Sequence, residues 1–224
     1  LKVVSFGIKD QKSNVSFKKI YRVGKNFLIN IKCNNLKKNF VISNNFQNNI
    51  YNVLGAIAVM NIYLNISKLN KNIFLNFKIP RGRGDISQIK IMNKNLNLID
   101  ESYNSNPLSL HSAILNFDKI DSKKSKKYLL IGDMLELGNH SKKLHESIGP
   151  IINQTKIDKV FVKGMKAKLI LDKLSQSKKG GILYSKSQIF KLIRNDLNNN
   201  DYLMIKASNA TGLNIVVKNL KGLK

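Results

Sequence analysis

Hydrophobic and polar positions change period twice along this chain of 224 residues. In residues 3–31 the apolar side chains fall in short runs, KVVSFGI, SFKKIYRV and NFLINIKC, separated by Asp, Lys, Asn and Gly clusters. That pattern predicts strands and turns at the edge of a β-rich sheet. Over residues 48–64 the spacing lengthens: Ile50, Leu54, Ile57, Ala58 and Ile62 recur at steps of three and four, which predicts a buried helix. A shorter apolar segment, 73–79, leads to Pro80. The run Pro80-Arg81-Gly82-Arg83-Gly84-Asp85 breaks both periods and predicts a domain junction, with residues 1–80 before it and 81–224 after it.

Beyond the junction, strand and helix patterns alternate. Strands are expected at 86–92, 96–100, 128–131, 159–162, 181–184 and 202–205, and helices at 107–117, 141–152, after Gly164, at 186–197 and from there to a closing helix ending at Leu220. Such alternation predicts βαβ units, hence an α/β class domain with a Rossmann-like, mostly parallel sheet and helices on both faces. In such sheets ligands bind beyond the carboxyl ends of the strands. The segment LNLIDESYNSNP, residues 96–107, places carboxylates, hydroxyls and amides at such an end.

Composition narrows the classes. A chain with 42% hydrophobic residues can bury a core. The single cysteine, Cys33, excludes a disulfide framework, and His111, His140 and His145 form no metal-ligand spacing, so a reducing, cytoplasmic setting is expected. No apolar run approaches the ~20 residues of a membrane helix, so no membrane insertion is expected. The start, LKVVSFGIKD, lacks an initiator Met and opens in a strand pattern, which suggests a further piece upstream. The net charge of +26 first brings nucleic acid to mind. Lys far outnumbers Arg, however, Asn is abundant, and the basic residues are scattered. A general drift towards Lys, Asn and Ile accounts for all three, so nucleic acid is not the expected partner. The chain is expected to be a monomer.

Several words in the chain resemble one family. Residues 99–107, IDESYNSNP, are similar to the (I)D(D/E)SYNANP of the Mur ligases, and residues 130–138, LIGDMLELG, to their LGDMxELG. Ser141, His145 and Gly149 resemble the S-x3-H-x3-G that follows. Asn49-Ile50-Tyr51-Asn52 before Gly55-Ala56 resembles the HNxxNALAA helix, with Asn48 in place of its His. The resemblance spans essentially the whole chain. It implies that residues 1–80 are the last part of a central ATP-binding domain and 81–224 a complete C-terminal domain. Within the family it points to the members that join D-Ala-D-Ala to UDP-MurNAc-tripeptide in peptidoglycan precursor synthesis, using ATP and Mg2+ and passing through an acyl phosphate. The alternatives are a Mur ligase adding a single amino acid, or a basic non-catalytic module on the same fold. No G-x4-G-K-S/T loop occurs in these residues. The phosphate cradle and magnesium ligands are therefore expected elsewhere, and the chain alone is expected to be inactive.

The resemblance also suggests roles. Asn49 and Asn52, three apart on one helical face, offer carboxamides that match the edge of adenine, and in the family such amides border the adenine site. Arg83 stands at the family's inter-domain Gly-Arg and is the expected nucleotide contact on closure, with Arg81 as the alternative. Asp100 or Glu101 would accept ribose hydroxyls; side chains alternate across a strand, so only one of them points into the crevice, and both are kept. Tyr103, Asn104 and Asn106 are expected at the substrate, together with Lys206 and Ser208. The last two lie in Lys206-Ala207-Ser208-Asn209-Ala210-Thr211-Gly212, which lacks the Gly and Arg of the family's KGSR-like turn. Asp133 and Glu136 suit caps, and His145 a packed position; no catalytic residue is assigned.

Overall fold

The computed structural model describes residues 3–43, 49–77, 80–91 and 93–222. The chain forms two compact units, Leu1–Ile79 and Pro80–Lys224. In the first, β1 (Phe6–Gly7), β2 (Val15–Val23), β3 (Asn26–Cys33) and β4 (Leu36–Ser43) form a sheet in that order. β2 to β4 are an antiparallel meander, and β1 pairs parallel with β2. Alternation decides the faces: Ile29, Ile31 and Cys33 of β3 point into the core, with Asn30 and Lys32 opposite. The helix α1 (Ile50–Tyr63) covers the inner face with Val53, Leu54, Ile57 and Ala58. The expected strand KVVSFGI shrinks to Phe6–Gly7. Upstream of it the Asn14 side chain takes the Ser5 amide hydrogen at 2.9 Å, replacing a ladder bond. Of the apolar segment 73–79, the described part forms turns and packs Phe74 edge-on against Phe40; residues 78 and 79 lie outside the described residues.

The second unit carries β5 (Asp85–Ile91), β6 (Lys94–Glu101), α2 (Pro107–Asp118), β7 (Lys127–Gly132), α3 (Ser141–Glu146) and α4 (Ile148–Asn153). After these come β8 (Lys159–Lys163), α5 (Lys168–Asp172), β9 (Lys179–Ile182), α6 (Lys186–Asn195), β10 (Tyr202–Lys206) and α7 (Leu213–Leu220). The sheet order is β5-β6-β10-β7-β8-β9, and only β5 runs antiparallel to its neighbour. The α/β class is as the alternation predicted. β7, KYLLIG, is buried at every position, as a central parallel strand covered on both faces must be. On one face α2, α4 and α5 pack on Ile99, Leu129, Ile131 and Met204. On the other, α6 and α7 pack on Leu96, Leu98, Leu130 and Ile205. Each such buried aliphatic side chain contributes about 2 kcal/mol.

Two expectations are corrected. The helix over 141–152 is two short helices separated at Ser147, because Pro150 has no N–H with which to bond the carbonyl of Glu146. The strand expected at 181–184 lies at Lys179–Ile182. The ring of Phe161 on β8 covers Gly180 so closely that a Cβ there would stand 2.6 Å from it, which draws the glycines into the strand rather than leaving them as its boundary. The register of β10 brings Lys206 beside Glu101 and Ile131, at the carboxyl ends of β6 and β7. The strand order reverses at β10, which returns from β9 to lie between β6 and β7, the place where such sheets open a crevice.

Candidate functional site

At the end of β6 the two carboxylates separate by simple alternation. Leu96, Leu98 and Asp100 face α7, whereas Ile99 and Glu101 face α2. Asp100 is 4% exposed. Its Oδ1 accepts from the Ser102 hydroxyl at 2.6 Å and from the Ser102 amide at 3.1 Å, and its Oδ2 lies 3.0 Å from Lys221 Nζ. Lys221 also reaches Asp85 Oδ2 at 2.5 Å, and Asp85 Oδ1 accepts the Gly82 amide hydrogen at 2.8 Å. Burial pulls the Lys221 ammonium down, but the hydrogen bonds and charges of the two aspartates outweigh it and hold the pKa above the usual lysine value.

On the α2 face, Lys206 is 1% exposed and donates to the Asn104 carbonyl at 2.6 Å and to Glu101 Oε2 at 3.4 Å. Burial lowers the Lys206 pKa, against the pull of Glu101 and helped by the nearby Arg83 charge. Burial likewise raises the Glu101 pKa, against the pull of Lys206. Both groups are thus moved towards their neutral forms while still paired, a perturbation typical of sites that handle protons or charged ligands.

The loop that follows presents Tyr103, half exposed, with the Arg83 guanidinium 4.5 Å from its ring centroid. Tyr103 donates its amide hydrogen to the Gly82 carbonyl at 3.1 Å. Gly82 has φ +78°, and a Cβ there would meet Tyr103 Cβ at 2.9 Å, so the junction can run beside the loop only as glycine. Asn104 bonds the Ser105 amide with its own Oδ1, and Asn106 caps α2 by accepting from the Ser109 amide at 2.8 Å, with Pro107 opening the helix. The Asn106 amide oxygen is therefore engaged in the fold. So is the buried Ser208 hydroxyl, which accepts from the Leu135 amide and donates to the Ser105 carbonyl. Ser105 Oγ, 2% exposed as a residue, has no partner among the described residues.

Asp133 accepts the Ala167 amide hydrogen at 2.6 Å and so caps the turn after β8, not the turn next to it in sequence; Glu136 is exposed. His145 is fully buried. Its Nε2 accepts from the Met134 amide at 3.0 Å and its Nδ1 faces the Ser141 carbonyl at 2.7 Å, which fixes the tautomer and leaves no nitrogen for proton transfer. Asn49 and Asn52 lie at the start of α1 in the first unit, where the Asn52 amide donates to Asn49 Oδ1 at 3.2 Å; Asn48 is outside the described residues. Arg81 and Arg83 part ways. Arg83 stacks on Tyr103, and Arg81 lines a recess beside α7 with Asp100. Lys221 and Asp85 were not among the residues expected here, because no motif marks them as partners of Asp100 and Lys221 is 121 residues from it.

A mostly parallel sheet covered by helices on both faces, with charged groups gathered at its strand ends, defines an α/β protein with a candidate ligand site there. The chain belongs to the Mur ligase family: the family model for the Mur ligase, glutamate ligase domain matches residues 87–209. It is 32% identical over 177 residues to the UDP-N-acetylmuramoyl-tripeptide--D-alanyl-D-alanine ligase of Buchnera aphidicola subsp. Baizongia pistaciae, covering 77% of this chain and 36% of that protein. With the Bacillus subtilis ligase of the same name it shares 30% identity over 128 residues, 56% of this chain and 28% of the other. The chain thus spans about a third of the length of these relatives. In fold it is similar to the MurF ligase of Thermotoga maritima solved with ADP, with a TM-score of 0.73 and 20% identity over 97% of this chain and 48% of that one.

Proposed function

We propose that this chain supplies the nucleotide-closing and dipeptide-side part of an ATP-dependent ligase that joins D-Ala-D-Ala to UDP-MurNAc-tripeptide. In this reading residues 1–80 are the end of its central domain, and residues 81–224 its C-terminal domain. The observation that carries it is the convergence, at the ends of β6 and β10, of the IDESYNSNP loop with the buried Lys206 and with Arg83 stacked on Tyr103. The names of the Bacillus and Buchnera relatives support the same assignment.

Each unit carries groups suited to a nucleotide. In the second, the exposed Arg83 is the cation for phosphate oxygens and Glu101 the acceptor for ribose, whereas Asp100 is held by Ser102 and Lys221, and Lys206 by Glu101 and the Asn104 carbonyl. In the first, Asn49 and Asn52 carry the carboxamides for adenine. Bound ATP would supply the phosphoryl group that activates the tripeptide carboxylate. The carboxylates here do not fit magnesium: Asp85 and Asp100 face Lys221, Glu101 faces Lys206, and no group of three metal-binding side chains occurs among the described residues. Tyr103 and Asn104 would hold the dipeptide beside the activated carbon, a positioning role. The protein would act in the cytoplasm as a monomer; no described helix is long and apolar enough to cross a membrane.

Calorimetry with the 224-residue chain provides the test. D-Ala-D-Ala binds weakly, and Tyr103→Ala weakens it by about tenfold, the loss expected of one aromatic contact with its buried area. No ligation accompanies binding when ATP and UDP-MurNAc-tripeptide are added. ATP-dependent ligation by the chain alone, or dipeptide binding indifferent to Tyr103, counts against the proposal.

A further inference from the structure

We propose that the recess beside α7 in the second unit binds the anionic group, phosphoryl or carboxylate, of a small ligand, with Arg81 and Lys218 as its cations. The recess has a volume of about 420 Å3 and lies between the 80–82 segment, the end of β6 and α7. Sites for small organic ligands start at about 300 Å3, so a dipeptide-sized or nucleotide-sized molecule fits. It is a different place from the Glu101–Lys206 pair, since Asp100 and Glu101 point to opposite faces of the sheet.

Its charge balance follows from the contacts. The carboxylate in its wall, Asp100, is engaged on both oxygens, one by Lys221 and the other by Ser102; Lys221 also reaches Asp85, so these three groups together keep a single negative charge. Arg81 and Lys218, both exposed, make no ion pair among the described residues. The amides add donors rather than acceptors. Asn214 Oδ1 accepts the Ile215 amide hydrogen and Asn214 Nδ2 donates to Asn209 Oδ1, which leaves Asn209 Nδ2 as the unused group. A wall offering cations and N–H donors complements a ligand that only accepts. That single negative charge and the carboxyl end of α7, worth about half a charge more, are together outweighed by the two full cations. Pro80 leaves apolar surface for a compact body attached to the anion. The proposal rests on the second unit alone, and Tyr103, placed at the dipeptide in the ligase reading, also lines the recess.

The test is a 1H–15N titration of the 224-residue chain with inorganic pyrophosphate, and in parallel with D-Ala-D-Ala and its C-terminal amide. Saturable shifts of the Ser102, Asn209 and Asn214 amides are expected with pyrophosphate, or with the dipeptide but not its amide; the first outcome marks a phosphoryl site and the second a carboxylate site. Arg81→Ala and Lys218→Ala, both at exposed positions, weaken the response by about tenfold each, whereas Lys143→Ala on α3 leaves it unchanged. The proposal is overturned if neither probe gives saturable shifts, if the dipeptide and its amide act alike while pyrophosphate does nothing, or if the shifts survive in both variants. The pyrophosphate arm is independent of the ligase assignment; a dipeptide that shifts no amide anywhere in the chain counts against that assignment, whatever pyrophosphate does.

Discussion

Replacing Lys206 by methionine will destabilise the second unit by about 3 kcal/mol at neutral pH, the cost of removing one partner of a buried ion pair. Methionine fills the space, so the loss is electrostatic: Glu101 stays behind with its charge, and the Asn104 carbonyl loses its donor. The pH dependence identifies the cause. Burial already holds the Glu101 pKa above the ordinary carboxylate value in spite of Lys206, and without the ammonium it rises further. A carboxyl whose folded-state pKa is raised favours the folded state at acid pH, and that contribution is lost as the pH rises through the folded value. The penalty of Lys206→Met is therefore smaller at pH 4 than at pH 7, as urea unfolding at the two pH values would show. A penalty independent of pH would mean that packing, not the ion pair, makes Lys206 matter.

Gly164→Ala will cost about 4 kcal/mol, combining backbone strain with overpacking. Gly164 has φ +125°, and a Cβ there would lie 2.2 Å from Asp133 Oδ1, the atom that caps the turn leading into α5. The alanine must either displace that carboxylate or shift the end of β8. The double variant Asp133→Ala/Gly164→Ala separates the two terms, because removing the carboxylate relieves the collision and leaves the strain. Thermal unfolding of the set should show the double variant less destabilised than the sum of the singles. Strict additivity would place the clash elsewhere.

The alternation of strands and helices beyond Pro80 was legible because each element carries its period in its own sequence. The all-apolar β7 and the capped start of α2 at Asn106-Pro107 are the clearest cases. The IDESYNSNP loop was legible as a candidate site because polar residues follow an apolar strand at its carboxyl end. What could not be read was long-range. That β10 inserts between β6 and β7 decides that Lys206 meets Glu101, and no local pattern encodes an insertion order. Alternation predicted that Asp100 and Glu101 part company, but only the positions of α2 and α7 tell which faces what. Ser208 and Asn106 looked like ligand groups from their motif, yet their polar atoms are largely engaged in holding the loop. Lys221 escaped notice because one lysine just past the end of α7, in a chain rich in lysine, carries no signal until its two aspartates are beside it.

The assignment as the dipeptide-side part of a D-Ala-D-Ala ligase comes down to which amine the second unit presents. Residues 80–224 can be grafted in place of the matching C-terminal part of the Bacillus subtilis relative, and the folded chimera offered ATP, UDP-MurNAc-tripeptide and a mixture of D-Ala-D-Ala with single amino acids. The account predicts that D-Ala-D-Ala is the amine joined. A folded chimera that joins a single amino acid, or that binds nucleotide and leaves the dipeptide untouched, would contradict it.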